Sequence, residues 1–173
     1  MKQDVAINLN GEIYTGRVEL RTVLVDFIRE VAGLTGIHVG CGFEGRCGSC
    51  TVILEGVAVK SCLMLAIQAD GAKVLTPEGL ARGGELHPLQ TAFRDHHGLQ
   101  CGFCTPGFLM TLYDYVKDIV ARGEVPDEVQ IRQAMAGVLC RCTGYVNIVA
   151  AVRQTIDRLN AMTPAERQKW FPL

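Results

Sequence analysis

The 173-residue sequence has no long apolar run. Nothing in it approaches the roughly 18 consecutive apolar residues that mark a membrane span. It has no excess charge of one sign: 17 Lys and Arg face 18 Asp and Glu, a formal net charge of −1. That balance gives no footing for binding nucleic acid or an anionic membrane. The opening segment "MKQDVAINLNGEIYTG" lacks the charged-then-apolar pattern of a secretory leader. The expectation is a cytoplasmic protein, in which most thiols stay reduced and clustered cysteines favour metal over disulfides. No P-loop occurs, and no strand leads through G-x-G-x-x-G into a helix, so nucleotide chemistry is not written on this chain.

What the sequence has is cysteine. Eight lie at positions 41, 47, 50, 62, 101, 104, 140 and 142. They divide into C-x5-C-x2-C-x11-C and C-x2-C followed, after a long gap, by C-x-C. A single cysteine is often a small buried hydrophobe; eight in this grouping are metal ligands. Cys140 and Cys142 are too close for an unstrained mutual disulfide, but both can point at one ion or cluster. Two four-thiolate zinc sites would use the same eight ligands. Plant-type iron–sulfur loops read C-x4-C-x2-C and a distant fourth cysteine, and the first set follows that order with one residue more. Gly40, Gly42, Gly45 and Gly48 favour the iron–sulfur reading. They let backbone fold around a bulky anion and aim N–H groups at it, which a lone zinc ion sheathed in thiolates needs less.

The apolar pattern places the two sets on different kinds of structure. Val5, Ile7 and Leu9 alternate as a strand, and Asn10-Gly11 signals a hairpin turn. Leu24, Phe27, Ile28 and Val31 fall on one helical face, which Gly33 is placed to end. "CTVILEGVAVKSC" reads as two strands around a Glu55-Gly56 turn, and "KVLTPEGL" as a last short strand. This order resembles the plant-type ferredoxin fold, a β-grasp. After a connector marked by Gly79, Gly83 and Gly84 the pattern becomes helical. Leu86, Leu89 and Phe93 mark one helix, and Phe108, Leu112, Tyr115 and Ile119 a second. Asp127 to Leu139 gives a third, and Tyr145, Ile148, Val149, Val152, Ile156 and Leu159 a fourth. Four such helices bury their apolar faces as a bundle. The predicted class is thus α+β, with boundaries at 1–79, 80–162 and a tail over 163–173. Cys101 and Cys104 precede the second helix, opened by Thr105 and Pro106. Cys140 and Cys142 precede the fourth, with Thr143 and Gly144 at its start. Two helix N-termini, each with free N–H groups and roughly half a positive charge, would face one anionic site.

Three segments carry a family resemblance. "VGCGFEGRCGSCTV", "LQCGFCTPGF" and "LCRCTGY" look like the signatures of the iron–sulfur subunit of molybdenum hydroxylases, relatives of xanthine dehydrogenase and bacterial carbon monoxide dehydrogenase. The resemblance runs from about Val5 to about Leu159. It implies one [2Fe-2S] centre on Cys41, Cys47, Cys50 and Cys62, and another on Cys101, Cys104, Cys140 and Cys142. It implies that the helical-domain centre faces a molybdopterin, in the cytosine dinucleotide form, on a large partner subunit. Gln100 would hydrogen-bond that pterin, and Cys142 would be the ligand nearest it. The ferredoxin-like centre would face FAD on a medium partner subunit, near Gly42, Phe43, Glu44 and Gly45. The assembly implied is a heterotrimer or a dimer of heterotrimers, with electrons relayed from molybdenum towards the flavin or another acceptor and no substrate chemistry on this chain. The rival functions are a freestanding two-cluster ferredoxin and a zinc-stabilised interaction module.

Two departures from the family pattern stand out. Five residues rather than four separate Cys41 from Cys47, so "GFEG" must bulge. Thirty-five separate Cys104 from Cys140, with "VARGEVPDEV" the expected exposed loop for the extra length. Other candidates read as ordinary. His96 and His97 end a polar helix, and His38 beside the first loop is not needed where four cysteines suffice. Arg141 either hydrogen-bonds a partner or offsets cluster charge, or else faces solvent. Trp170 and Phe171 in "KWFPL" look exposed, in a tail that is either frayed or docked on a partner.

Overall fold

The computed structural model describes residues 1–171. The chain opens with an antiparallel hairpin, β1 (Lys2–Leu9) and β2 (Glu12–Glu19). Its turn is Asn10-Gly11, both left-handed at φ 57° and 97°, as a tight two-residue turn requires. Val5, Ile7 and Leu9 point to one side and are buried. The predicted helix is short and irregular: α1 (Leu24–Asp26) runs straight into one π-helical stretch, Phe27–Val31. The wider turn rotates Val31 off the core face, and it is 44% exposed, against the expectation. Leu24, Phe27 and Ile28 are buried as expected. After the first cysteine loop come β3 (Thr51–Leu54) and β4 (Val57–Lys60), paired around Glu55-Gly56, and then β5 (Lys73–Leu75). The five strands take the order β2-β1-β5-β3-β4, with β1 and β5 parallel.

The helical half follows. α2 (Pro88–Asp95) starts after Leu86, which is exposed and lies outside it, because Pro88 fits only the first turn. α3 (Thr105–Arg122) ends on left-handed Gly123. It packs against both strands and helices. Its buried face is therefore wide, and Tyr113 rather than Tyr115 is fully enclosed. The connector to α4 carries Val125 at 76% exposure, as expected of the added length. α4 (Glu128–Ala134) is capped by Asp127 and stops well short of Leu139. The remaining residues turn so that the Leu139 N–H reaches the Cys47 carbonyl at 3.0 Å. α5 (Val146–Asn160) buries Ile148, Val149, Val152, Ile156 and Leu159.

A further short helix, α6 (Pro164–Gln168), follows, with a reciprocal cap between Thr163 and Glu166. It corrects the reading of the tail as frayed or exposed. Trp170 is only 7% exposed and meets the His87 ring edge-on at 5.5 Å. Phe171 packs on His87 and Tyr113 at 5.6 and 5.2 Å. Pro172 and Leu173 lie outside the described residues. Trp170→Ala should lower unfolding free energy by about 3 kcal/mol, read from the urea midpoint.

Two apolar cores result, and the sheet is shared between them. Val52 of β3 joins Val5, Ile7 and Phe27 in the first core. Its neighbour Ile53, with Leu75, joins Phe108, Leu112 and Val152 in the second. Alternation along one strand thus sends successive side chains to opposite cores. The helices are fastened to the sheet by polar contacts as well. Asp114 accepts from the Ala58 N–H at 3.0 Å, and Lys117 donates to the Gly56 carbonyl at 2.6 Å.

Candidate metal centres

Three thiols of the first set, Cys41, Cys47 and Cys50, sit on a loop with almost no regular structure between Gly40 and Cys50, and the fourth, Cys62, lies in a short helical turn over Ser61–Leu63. The loop's path is set by glycines: Gly42, Gly45 and Gly48 all have φ near +70°. Phe43 is also left-handed at φ 68°, so the expected bulge exists and its tip is a strained, half-exposed phenylalanine. Glu44 and Arg46 form an ion pair across that tip. Gly45 is buried under Leu63, where a Cβ would collide with the leucine methyls. The Cys50 carbonyl accepts from the Ser61 hydroxyl at 2.7 Å, which ties the loop to the segment carrying Cys62.

The electrostatics of the thiols show which ones are neighbours. A backbone N–H from Cys47, supported by those of Arg46 and Glu44, holds the Cys41 thiol down at about 7 despite partial burial. Burial pushes Cys62 up to about 12, helped by a hydrogen bond with Cys50 and by the charges of Cys50 and Cys41. Cys41 thus lies beside Cys47, and Cys62 beside Cys50 and within reach of the charge of Cys41.

The second set closes at the joined ends of α3 and α5. Cys104 is the N-cap of α3, and burial drives its thiol up to about 12, with added pressure from a hydrogen bond to Cys140 and the charges of Cys140 and Cys101. Burial pushes Cys140 upward too, but the Thr143 hydroxyl and N–H, at 3.2 and 3.4 Å from its sulfur, bring it down to about 7. Cys142 lies 3.5 Å from Cys101, and that contact raises its pKa. Both of these last two are exposed.

Each set therefore holds four thiols close enough to repel one another as thiolates. Some carry donors that favour the anion, and others are held neutral by burial. A cationic group that takes four thiolates fits this donor set, since binding would expel the protons that the buried sulfurs retain. Among the described residues, no three His, Cys, Asp or Glu side chains are placed to hold a single metal ion.

Residues that the sequence reading passed over complete the site. Tyr145, read only as part of an apolar stripe, is left-handed at φ 67° and caps α5. Its hydroxyl accepts from the Cys140 N–H at 3.0 Å and donates to the Val138 carbonyl at 3.2 Å, and its ring meets Phe108 edge-on at 5.7 Å. A tyrosine close behind a C-x-C pair was the available signal. A cavity of about 610 Å³ is lined by Cys41 and Cys47 of the first set together with Cys101, Cys104, Cys140 and Cys142. Arg141 and Arg46 also line it. Gln100 is exposed beside Cys101, while Gly42, Phe43 and Glu44 are exposed at the far tip of the first loop. His97 is exposed, and His96 is half-buried.

A small sheet with one four-thiol loop, joined to helices whose ends gather a second, defines an iron–sulfur protein of two domains. Residues 7–84 match the 2Fe-2S iron-sulfur cluster binding domain, and residues 76–153 match a second family, the [2Fe-2S] binding domain. Subunit gamma of caffeine dehydrogenase from Pseudomonas sp. strain CBB1 is 48% identical over 149 residues, 86% of this chain and 88% of that one. The nicotinate dehydrogenase small FeS subunit of Eubacterium barkeri is 43% identical over 157 residues, covering 91% and 97%. The crystal structure of quinoline 2-oxidoreductase from Pseudomonas putida 86 contains a chain with TM-score 0.85 and 41% identity, covering 91% of this chain and 96% of that one. The chain belongs to the small iron–sulfur subunits of the molybdenum hydroxylases, the xanthine dehydrogenase family. Among the described residues, no helix is long and apolar enough to cross a membrane.

Proposed function

We propose that this chain is the electron-transfer subunit of a cytoplasmic molybdenum hydroxylase, carrying electrons from a large molybdopterin-binding subunit towards a medium FAD subunit. Cys41, Cys47, Cys50 and Cys62 hold one [2Fe-2S] cluster, in a β-grasp domain over residues 1–79. Cys101, Cys104, Cys140 and Cys142 hold the other, in a four-helix domain over 80–162. Each cluster, when bound, supplies one-electron capacity, so two of them match a two-electron donor taken in steps.

The observation that carries the reading is the gathering of eight thiols into two sets of four. The chain's own residues do the rest. Backbone N–H groups of the first loop, and the Thr143 hydroxyl and N–H in the second, point at sulfur and stabilise its negative charge. Burial of Cys47, Cys50, Cys62 and Cys104 keeps water from the inner side of each set. Exposed Cys101 and Cys142 leave the second set open on one side, rimmed by Leu99, Phe103, Leu139 and Val146, all more than 40% exposed. That apolar rim, with Gln100, is the docking face for the molybdopterin subunit. Phe43 and Leu63, at 45% and 64% exposure, rim the outer end of the first loop and make the corresponding face for the flavin subunit.

That the relatives are a "subunit gamma" and a "small FeS subunit" favours a complex over a free ferredoxin. Tagged chain purified from its source should elute with a molybdenum-containing partner in a heterotrimer or its dimer, and elution as a lone monomer would refute the reading. In that complex Gln100→Ala should leave iron content unchanged and slow substrate-driven reduction of the iron–sulfur centres by about tenfold, the cost of one interfacial hydrogen bond. Stopped-flow absorbance reads that rate.

A further inference from the structure

His38 is not a ligand in the account above, yet it touches both thiol-bearing loops. Its backbone N–H donates to the Ser49 carbonyl at 3.1 Å, inside the Cys47–Cys50 turn. Its Nδ1 lies 2.8 Å from the Phe103 carbonyl, between Cys101 and Cys104. A carbonyl oxygen only accepts, so Nδ1 carries the proton and donates. The His38 ring also stacks on the Phe103 ring, with centroids 4.7 Å apart and planes 24° from parallel.

The phenylalanine ring also approaches Gly40. A Cβ on Gly40 would lie 2.9 Å from Phe103 Cε1 and 3.3 Å from Cys47 Sγ. Phe103 of the second loop thus meets both His38 and the bare backbone of Gly40 in the first, while the rest of its ring is exposed. Along the sequence His38 and Phe103 are 65 residues apart, and each lies within three residues of a proposed ligand.

We propose that His38 is a positioning residue. It clamps the Cys101–Cys104 loop onto the Cys47–Cys50 loop and so fixes the separation of the two centres. The proposal rests on the two-cluster reading. One hydrogen bond and one stacked pair, both partly exposed, would let the loops drift apart without unfolding if removed. Electron exchange between the centres, and the magnetic coupling of their unpaired spins, depend steeply on that separation.

The test uses the purified complex, reduced with dithionite, as wild type, His38→Ala and His38→Asn. Asparagine can place an N–H donor near the position of Nδ1. Low-temperature EPR should show spin–spin splitting between the two reduced centres in the wild type. In His38→Ala the iron content should hold, the splitting should collapse towards a simple sum of two spectra, and His38→Asn should restore part of it. Amide exchange over residues 100–104 should rise about tenfold in His38→Ala, as loss of one hydrogen bond implies. Unchanged splitting and exchange in His38→Ala would overturn the proposal, as would loss of iron, which would make His38 an assembly residue. A wild type without two diiron signals would instead refute the two-cluster reading. The exchange measurement, which needs no centre, would still decide whether His38 holds the loops together.

Discussion

Cys142→Ser is expected to lower iron from about four to about two per chain while leaving the protein folded. The effect is large because a serine hydroxyl is a poor substitute for a thiolate at this site, and because three sulfurs cannot close a four-coordinate set. It is also clean. Cys142 is exposed, and its nearest sulfur neighbour is Cys101 at 3.5 Å, so truncation removes no core packing. Cys104 would be a worse choice, since it is buried and caps α3. The first set lies on separate segments, and the thiols that shift Cys41 and Cys62 all belong to that set, so its centre should assemble normally. EPR of the reduced variant should show one [2Fe-2S] signal, and substrate-driven flavin reduction should be abolished. Two intact signals would mean that the eight cysteines are grouped differently.

Gly107→Ala should separate the two halves of the site. Gly107 lies in the first turn of α3, where its backbone is helical and alanine is intrinsically preferred by up to about 1 kcal/mol. Geometry forbids that gain. A Cβ there would lie 2.9 Å from the Gly48 carbonyl carbon and 3.0 Å from Ser49 Cα, and closer still to the Gly48 oxygen. These are backbone atoms of the first cysteine loop, so no rotamer change relieves the collision. Overpacking of this kind costs about 1–3 kcal/mol. Gly48 is hemmed in from its own side as well, since a Cβ on it would meet the Val138 backbone at 3.0 Å. The expected result is a lower urea midpoint and a weaker magnetic coupling between the centres. Gly137→Ala is the matched control: the nearest atom to an added Cβ is Lys60 Nζ at 3.9 Å, and its stability should stay within about 0.5 kcal/mol of wild type. Equal behaviour of the two variants would show that the close approach of α3 to the loop does not matter.

Local rules found the parts of this molecule whose causes are local. The β1 strand follows from Val5, Ile7 and Leu9, and its turn from Asn10-Gly11. The Glu55-Gly56 turn, the Thr105-Pro106 start of α3 and the stripe of α5 follow in the same way. The proposed grouping of thiols rests on ligand spacing, which is itself a sequence pattern. Contacts over long separations were not visible. Periodicity assigns Ile53 to a strand but cannot say that a second core covers it. Nothing in the order of residues pairs His38 with Phe103, or Gly48 with Gly107. Leu139 reads as the end of a helix, yet the chain leaves helical geometry after Ala134 to deliver its N–H to Cys47. Trp170 and Phe171 read as exposed because their partners, His87 and Tyr113, lie more than fifty residues upstream. Val31 was misplaced for a subtler reason: a π turn advances its side chains by a period that the helical pattern does not contain.

The most direct test is metal and sulfide analysis of the intact, partner-bound protein, with its visible spectrum followed during reduction. The account predicts about four irons and four acid-labile sulfides per chain, a brown colour that bleaches with dithionite, and two distinguishable [2Fe-2S] EPR signals. Zinc in place of iron, no labile sulfide, or a spectrum that reductant leaves unchanged would contradict it.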